Sequence, residues 1–373
     1  MDDLARFCCP NTQCSEFGRR HAGNLSVHDR FGKHRQHRLL CCHVCQHSFS
    51  ENKGTVFFRA KLPHETIVAI LRHLQEGCGI RATHAWSGSI ATPSSAWPAW
   101  PAITPTTFMT SSWLFPPATR EVQFDEKWAF VGKKQKNCDP NNPDDAQCGD
   151  YWDFVAFDPE HRLVLAVVPG ARTAENAEAI VEEVKQRLGG TAPALMTSDE
   201  LPAYATAIET TFSEPVSPPA RRGPGRPRIV PERSLPEGLC YATVHKEREN
   251  GRVVAVEQEQ VFGTAEALDE ALSESSASQS VNTSFVERHH GTDRSRNARK
   301  SRKTYQFSKD WEIHEAMTYF TMYSYNFCWE VRTLRVRREE GGWQPRTPAM
   351  AAGLSDHVWS LEEWLAFPAF QST

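Results

Sequence analysis

Two cysteine knuckles near the start of the chain constrain its architecture more than any other feature. FCCPNTQC (7–14) and LLCCHVCQHSF (39–49) flank a polar, basic stretch, RHAGNLSVHDRFGKHRQHR. Read as C-x4-C and C-x2-C, the natural ligand set is Cys9, Cys14, Cys42 and Cys45. Thiolates suit Zn²⁺, and four of them close a tetrahedral structural site rather than a catalytic one. Cys8 and Cys41 are adjacent and able to substitute; His43 and His47 are less suited, and free buried thiols are the alternative to a metal. The chain has eleven cysteines in 373 residues. Their clustering on a chain this long favours a reduced, cytoplasmic protein with a metal site over a disulfide framework. Arg19, Arg20, Arg30, Lys33, Arg35 and Arg38 lie in or beside the spacer and are candidate phosphate contacts. A ribbon that only mediates protein contacts is the plainer reading.

The length allows two or three domains and a substantial core. A formal net charge of −4 conceals local basic stretches, so it argues neither for nor against a nucleic-acid partner. No apolar run approaches the ~18 residues of a membrane span, and no secretory signal opens the chain. From Pro63, PHETIVAILRHLQEGCGIRAT has a helical apolar period and reads as the first half of a helix-turn-helix, its second helix expected directly after Ile80. Instead, the 38 residues from Ala82 to Thr119 contain no Asp, Glu, Lys or Arg, where about a quarter charged is usual. One reading is a compensated frameshift: back-translated with GC-rich codons, the stretch can be read in a neighbouring frame as an amphipathic helix pair. A Pro/Trp-rich linker is the alternative.

Further on, three carboxylates stand at telling positions. Asp125 lies in REVQFDEKWAFVGKK, a short alternating strand pattern, and Asp199 follows the apolar Ala194, Leu195 and Met196. Between them DYWDFVAFD (150–158) and HRLVLAVVPG (161–170) read as a hairpin. TAENAEAIVEEVKQRLGG (173–190) reads as a helix with Thr173 as N-cap and Gly189 as stop. Glu287 precedes a dense basic run: eight Lys/Arg between Arg288 and Lys309 against one acid, Asp293. An acid among such cations keeps its charge and can bind a metal while the cations hold a polyanion. Asn282, Thr283 or Ser284 could cap a helix there; a solvated basic helix end is the bland reading.

Carboxylates on a first strand, after a fourth strand and on a late helix match the layout of the ribonuclease-H-like fold. The chain resembles DDE transposases of short bacterial insertion sequences, in the group that opens with a zinc ribbon and helix-turn-helix. The resemblance covers nearly the whole chain, the uncharged stretch excepted. It implies an α/β class, with a mixed sheet flanked by helices as the catalytic domain, behind a small ribbon and a helical DNA-binding segment. The expected domains are 1–62 (ribbon), 63–118 (helix-turn-helix region), 119–335 (catalytic, with an insertion at 213–263) and 336–373 (tail). The implied activity is metal-dependent DNA strand cleavage and transfer at element ends. Partners would be double-stranded DNA and further copies of the chain on paired ends, in the bacterial cytoplasm at the nucleoid, with no membrane.

The acids have a physical rationale. Two divalent ions about 4 Å apart activate the attacking oxygen and stabilise the leaving one, and carboxylates hold them. Mg²⁺, or Mn²⁺, takes such oxygen ligands. Asp125 would bridge the ions, with Asp199 and Glu287 each holding one; strand alternation would turn Glu126 and Glu200 away. Arg288, Arg294, Arg296, Arg299, Lys300 and Lys303 are candidate DNA contacts. His290 stands where the resemblance leads one to expect Asn. Within PPARRGPGRPRIVP, the core Gly225-Arg226-Pro227 with flanking Arg221, Arg222 and Arg228 resembles an AT-hook, a minor-groove binder; a plain linker is the alternative. Beyond it, a hairpin turns at Asn250-Gly251. Cys138 and Cys148 read as part of a structural loop. DWEIHEAMTYFTMYSYNFCWEVRTLRV reads as a helix packed on the catalytic sheet. Two other functions compete: a DNA-binding remnant without activity, and a ribonuclease-H-like nuclease of another pathway.

Overall fold

The structure, a computed structural model, describes residues 4–79, 83, 117–216, 232–250 and 252–368. Strands β1 (Leu25–Phe31), β2 (His37–Cys42) and β3 (Ser48–Ser50) form an antiparallel sheet in that order. Phe7, Leu40 and Phe49 make its small core. So little buried apolar area stabilises a fold weakly without a staple, which is the role a four-thiolate metal site can fill.

Helix α1 (His64–Gln75) buries Val68, Leu71 and Leu74, as its period predicts. These residues belong to the main hydrophobic core, and Gln75 Nε2 donates to Ser324 Oγ at 3.1 Å. The helix expected to start a separate reading domain is thus packed on the main body. Its expected partner helix after Ile80, residues 84–116 of the uncharged stretch and the frameshift reading lie outside the described residues.

The main body is a mixed α/β unit around a six-stranded sheet. β4 (Glu121–Val131), β5 (Gly149–Asp158) and β6 (Leu163–Gly170) are an antiparallel meander. Next comes α2 (Ala174–Arg187), whose N-cap Thr173 accepts from Asn176 N. Gly189 and Gly190, at φ +64° and +87°, stop it by taking the left-handed conformation that side chains resist. β7 (Leu195–Ser198) returns parallel to β4. Then follow α3 (Ala203–Phe212), the short pair β8 (Glu214–Val216) and β9 (Glu232–Ser234), and the hairpin β10 (Cys240–Glu249) and β11 (Arg252–Phe262). The sheet order is β11-β10-β7-β4-β5-β6.

Strand alternation assigns the faces. Phe124 turns to Tyr204 of α3, their rings 5.2 Å apart. Gln123 and Lys127 turn to the opposite face, against α5 (Ser284–Arg296) and beyond α4 (Ala265–Glu274) in sequence. α6 (Trp311–Cys328) lies on that same face and is buried without interruption from Ala316 to Phe327. Its aromatic stripe is core: each large apolar side chain so buried stabilises by about 1.5–3 kcal/mol.

After α6 come β12 (Val336–Arg337), β13 (Trp343–Gln344), α7 (Pro348–Ala351) and α8 (Leu361–Leu365). Ala349, Leu354, Leu361, Trp364 and Leu365 join the main core, so the residues read as a tail complete the body. Arg20 reaches them from the ribbon, donating to the carbonyls of Arg6 and Pro368 and lying over the Phe367 ring. Among the described residues no helix is long and apolar enough to cross a membrane.

Candidate functional site

The register of the one β4–β7 pairing builds a cleft. Glu121 pairs with Leu195 and Gln123 with Thr197. Asp125, still on β4, and Asp199, the first residue past the end of β7, each stand two residues further on in sequence. Both acids line an open cleft of about 660 Å³, with Glu126, Arg172, Glu200, Lys246, Glu287, His290, Arg294 and Arg302 among its other walls. A crevice beyond the carboxyl ends of strands is where open α/β sheets gather ligands.

Asp125 Oδ1 accepts from the Glu126 amide at 2.9 Å, and His290 Nδ1 lies 3.2 Å from Oδ2. Asp199 Oδ1 accepts from Leu201 N at 3.3 Å. The Asp199 carboxyl is raised above its ordinary range, first by burial and then by the charge of Asp125. Burial and that neighbouring charge both disfavour the ionised form of Asp199.

Glu126 projects from the other face of β4, as alternation requires, yet the cleft reaches it. Its Oε2 is bonded by Arg172 Nη2 at 3.0 Å. Burial, and next the charge of Asp199, push it up to about 7. Glu200 remains over half exposed and pairs with His245 Nδ1 at 2.6 Å.

Glu287 sits in the first turn of α5. Its Oε1 accepts from Thr283 Oγ1 at 2.9 Å and from Lys246 Nζ. The helix start is set from the sheet: Gln123 Oε1 accepts from Phe285 N at 3.1 Å and Val286 N at 3.2 Å. That satisfies two of the orphan amides of a helix N-terminus, and Thr283, the N-cap by position, makes no side-chain cap bond. Further along the same face, Lys127 pairs with Asp293 of α5 and, at 3.2 Å, with Asp153 of β5; Lys300 Nζ bonds Asp153 Oδ2 at 2.6 Å. These four charges are buried, and Lys127 and Lys300 hold the Asp153 carboxyl down at about 2 against the opposing effect of burial.

This network corrects two expectations from the basic run. Lys300 is spent inside the protein on Asp153 and Thr318. Arg296 is 5% exposed, its guanidinium over the Tyr325 and Trp329 rings. A cation so enclosed offers no charge to a surface. Arg288 and Lys303 are exposed, Arg299 is half-buried, and Arg294 and Arg302 line the cleft. Arg226 and Arg228 lie outside the described residues, as does Gly251. In the ribbon, Arg35 is paired with Asp29 and Arg38 with Glu51, each at 2.6 Å. Cleft residues that the sequence did not single out are Arg172, His245 and Lys246. Each comes from a loop or insertion whose position is fixed by long-range pairing, and no local pattern marks them.

The second centre is the cysteine cluster. Cys9, Cys14, Cys42 and Cys45 offer sulfurs all within 4.8 Å of one another, with Cys9–Cys45 at 3.6 Å and Cys14–Cys42 at 3.9 Å. Zn–S bonds of about 2.3 Å in a tetrahedron span edges of about 3.8 Å, so the set is able to hold a structural metal such as Zn²⁺. Amide donors already point at it: Asn24 Nδ2 lies 3.3 Å from Cys42 Sγ and Glu16 N 3.4 Å from Cys14 Sγ. Such outer partners orient thiolate ligands. The Cys45 thiol is lowered to about 6, chiefly by Asn11, whereas burial raises Cys9. Cys8 and Cys41 are outside this set. Among the described residues it is the one group of three or more such ligands so close together; the cleft acids stand further apart, with Lys246 on Glu287.

No protein-family model and no curated protein matches the chain.

Proposed function

We propose that the chain is a metal-dependent polynucleotidyl transferase of the DDE transposase kind, built on a ribonuclease-H-like body and acting on double-stranded DNA. The observation that carries this reading is the meeting of Asp125 on β4, Asp199 just past the end of β7 and Glu287 on α5 in the walls of one cleft. A mixed sheet flanked by helices is the arrangement that the resemblance implies.

The paired carboxylates suit a hard divalent cation such as Mg²⁺ or Mn²⁺, since Asp125 and Asp199 are two oxygen donors that repel each other without one. Asp125 and Asp199 would hold it, with Glu287 as the third ligand. When bound, the ion supplies Lewis-acid activation of a water or 3′-hydroxyl and charge neutralisation of the phosphodiester. The remaining work belongs to the protein. His290 orients Asp125 from 3.2 Å. Gln123 fixes the start of the helix bearing Glu287. Arg172, Arg294 and Arg302 are cations lining the cleft, and Arg288 and Lys303 are exposed beside Glu287 and Arg302 in sequence, a set suited to phosphate oxygens. The ribbon adds a Zn²⁺-stapled module, and paired element ends call for a dimer or larger assembly.

The test is cleavage and strand transfer of labelled linear DNA carrying the element's own ends, with Mg²⁺ or Mn²⁺. Products that need Asp125 and Asp199 are expected. Products undiminished in Asp125→Asn would overturn the reading.

A further inference from the structure

The inserted hairpin contributes a cation to the cleft. β10 pairs with β7 only from Cys240 to Thr243, and the strand, still paired with β11, then continues past the end of β7. The next residues on it, Val244, His245 and Lys246, all line the cleft. Consecutive strand residues point to opposite sides, and these do so with consequence. His245 Nδ1 reaches Glu200 at 2.6 Å, next to Asp199, while Lys246 Nζ reaches Glu287 Oε1 on α5. The hairpin is therefore pinned to both rims of the cleft, each time through a carboxylate.

The Lys246 contact is built rather than incidental. Its ammonium donates to Thr283 Oγ1 at 3.1 Å as well as to Glu287, and Thr283 Oγ1 itself donates to the same Oε1 at 2.9 Å. Lys246, Thr283 and Glu287 thus close a three-membered ring of contacts.

We propose that Lys246 is a tethered counter-cation of Glu287, through which the inserted hairpin competes with a divalent cation for the third carboxylate of the cleft. This rests on the reading of the cleft as a divalent-cation seat. An ammonium held on Oε1 repels a divalent ion that approaches the same carboxylate, so Glu287 holds the ion more weakly while Lys246 stays in place. The competition makes occupancy of the seat depend on the position of the hairpin. Lys246 is a positioning residue in this scheme: it acts on the seat through Glu287.

The experiment is a titration of Zn²⁺-loaded full-length protein with Mn²⁺ alone, reading free Mn²⁺ by electron paramagnetic resonance, without DNA and without turnover. Lys246→Met is expected to tighten the Asp199-dependent Mn²⁺ site about five- to tenfold, at the lower end of ordinary site-to-site coupling. Lys246→Arg, which keeps the charge, is expected to stay near wild type, and thermal melts check that both variants fold. Unchanged or weaker Mn²⁺ binding in Lys246→Met, with the Asp199→Asn variant still losing the ion, overturns the competition and leaves the cleft reading standing. Absence of any Asp199-dependent Mn²⁺ binding in the wild-type protein overturns both.

Discussion

Asp125 on β4 and Asp199, the first residue past the end of β7, line one cleft, each two residues beyond the last paired position, Gln123 with Thr197. Neither acid reaches the other through local sequence; 74 residues separate them, the same offset that separates Gln123 from Thr197. Any insertion between β4 and β7 that kept the register would keep the pair. A one-residue slip would turn one acid to the other face of the sheet.

Asp125→Asn and Asp199→Asn are each expected to lower DNA cleavage at least about a hundredfold, the scale of losing one preorganised electrostatic contact. DNA affinity should change little, because the cationic rim is untouched. Asp199→Asn should also raise the melting temperature slightly, since it removes one of two repelling carboxylates. Cleavage assays, gel shifts and thermal melts read the three effects.

The ribbon prediction concerns metal content. Purified protein should carry about one Zn²⁺ per chain, as a closed four-thiolate site requires, and Cys42→Ser should lose it. Atomic absorption after dialysis measures this. Unchanged content in the variant would count against the assignment of Cys9, Cys14, Cys42 and Cys45.

Asp153→Asn leaves Lys127 and Lys300 buried with Asp293 alone to oppose them. Breaking a buried ion pair by removing one partner costs about 3–5 kcal/mol, and urea unfolding at neutral pH should show a loss on that scale. The pH dependence has a definite sign. The folded carboxyl is held at about 2, below its ordinary 3.8. Its contribution is therefore fully present above that ordinary value and is lost as pH falls through about 2. The variant should accordingly acid-unfold at a higher pH than wild type.

Gln123→Leu removes the acceptor that two amides of α5 use. Buried donors left without partners cost about 1–3 kcal/mol, so urea unfolding should register a loss of that order. In an active protein, cleavage should fall as well, through loosening of Glu287. A variant as stable as wild type would mean that water replaces the Gln123 oxygen.

The local elements were legible in the sequence because short-range physics sets them. Thr173 and Gly189 bracket α2 through capping and a left-handed turn. The β5–β6 hairpin follows from its two apolar runs, and the four-sulfur cluster from knuckle spacing, where chain geometry and ligand type act over a few residues. Asp125, Asp199 and Glu287 could be singled out by their positions in those elements. Tertiary packing alone decided what each charge does. Lys300 and Arg296 belong to a basic run that looks solvated, yet helix periodicity and the fold turn them inward, where Asp153 and the Tyr325 and Trp329 rings receive them. Lys246 carries no signal in its own strand pattern; the extension of β10 past the end of β7 delivers it to Glu287. Local sequence fixes backbone conformation through dihedral, capping and ligand chemistry. The fate of a side-chain charge depends on groups distant in sequence, which only the assembled sheet and helices bring within range.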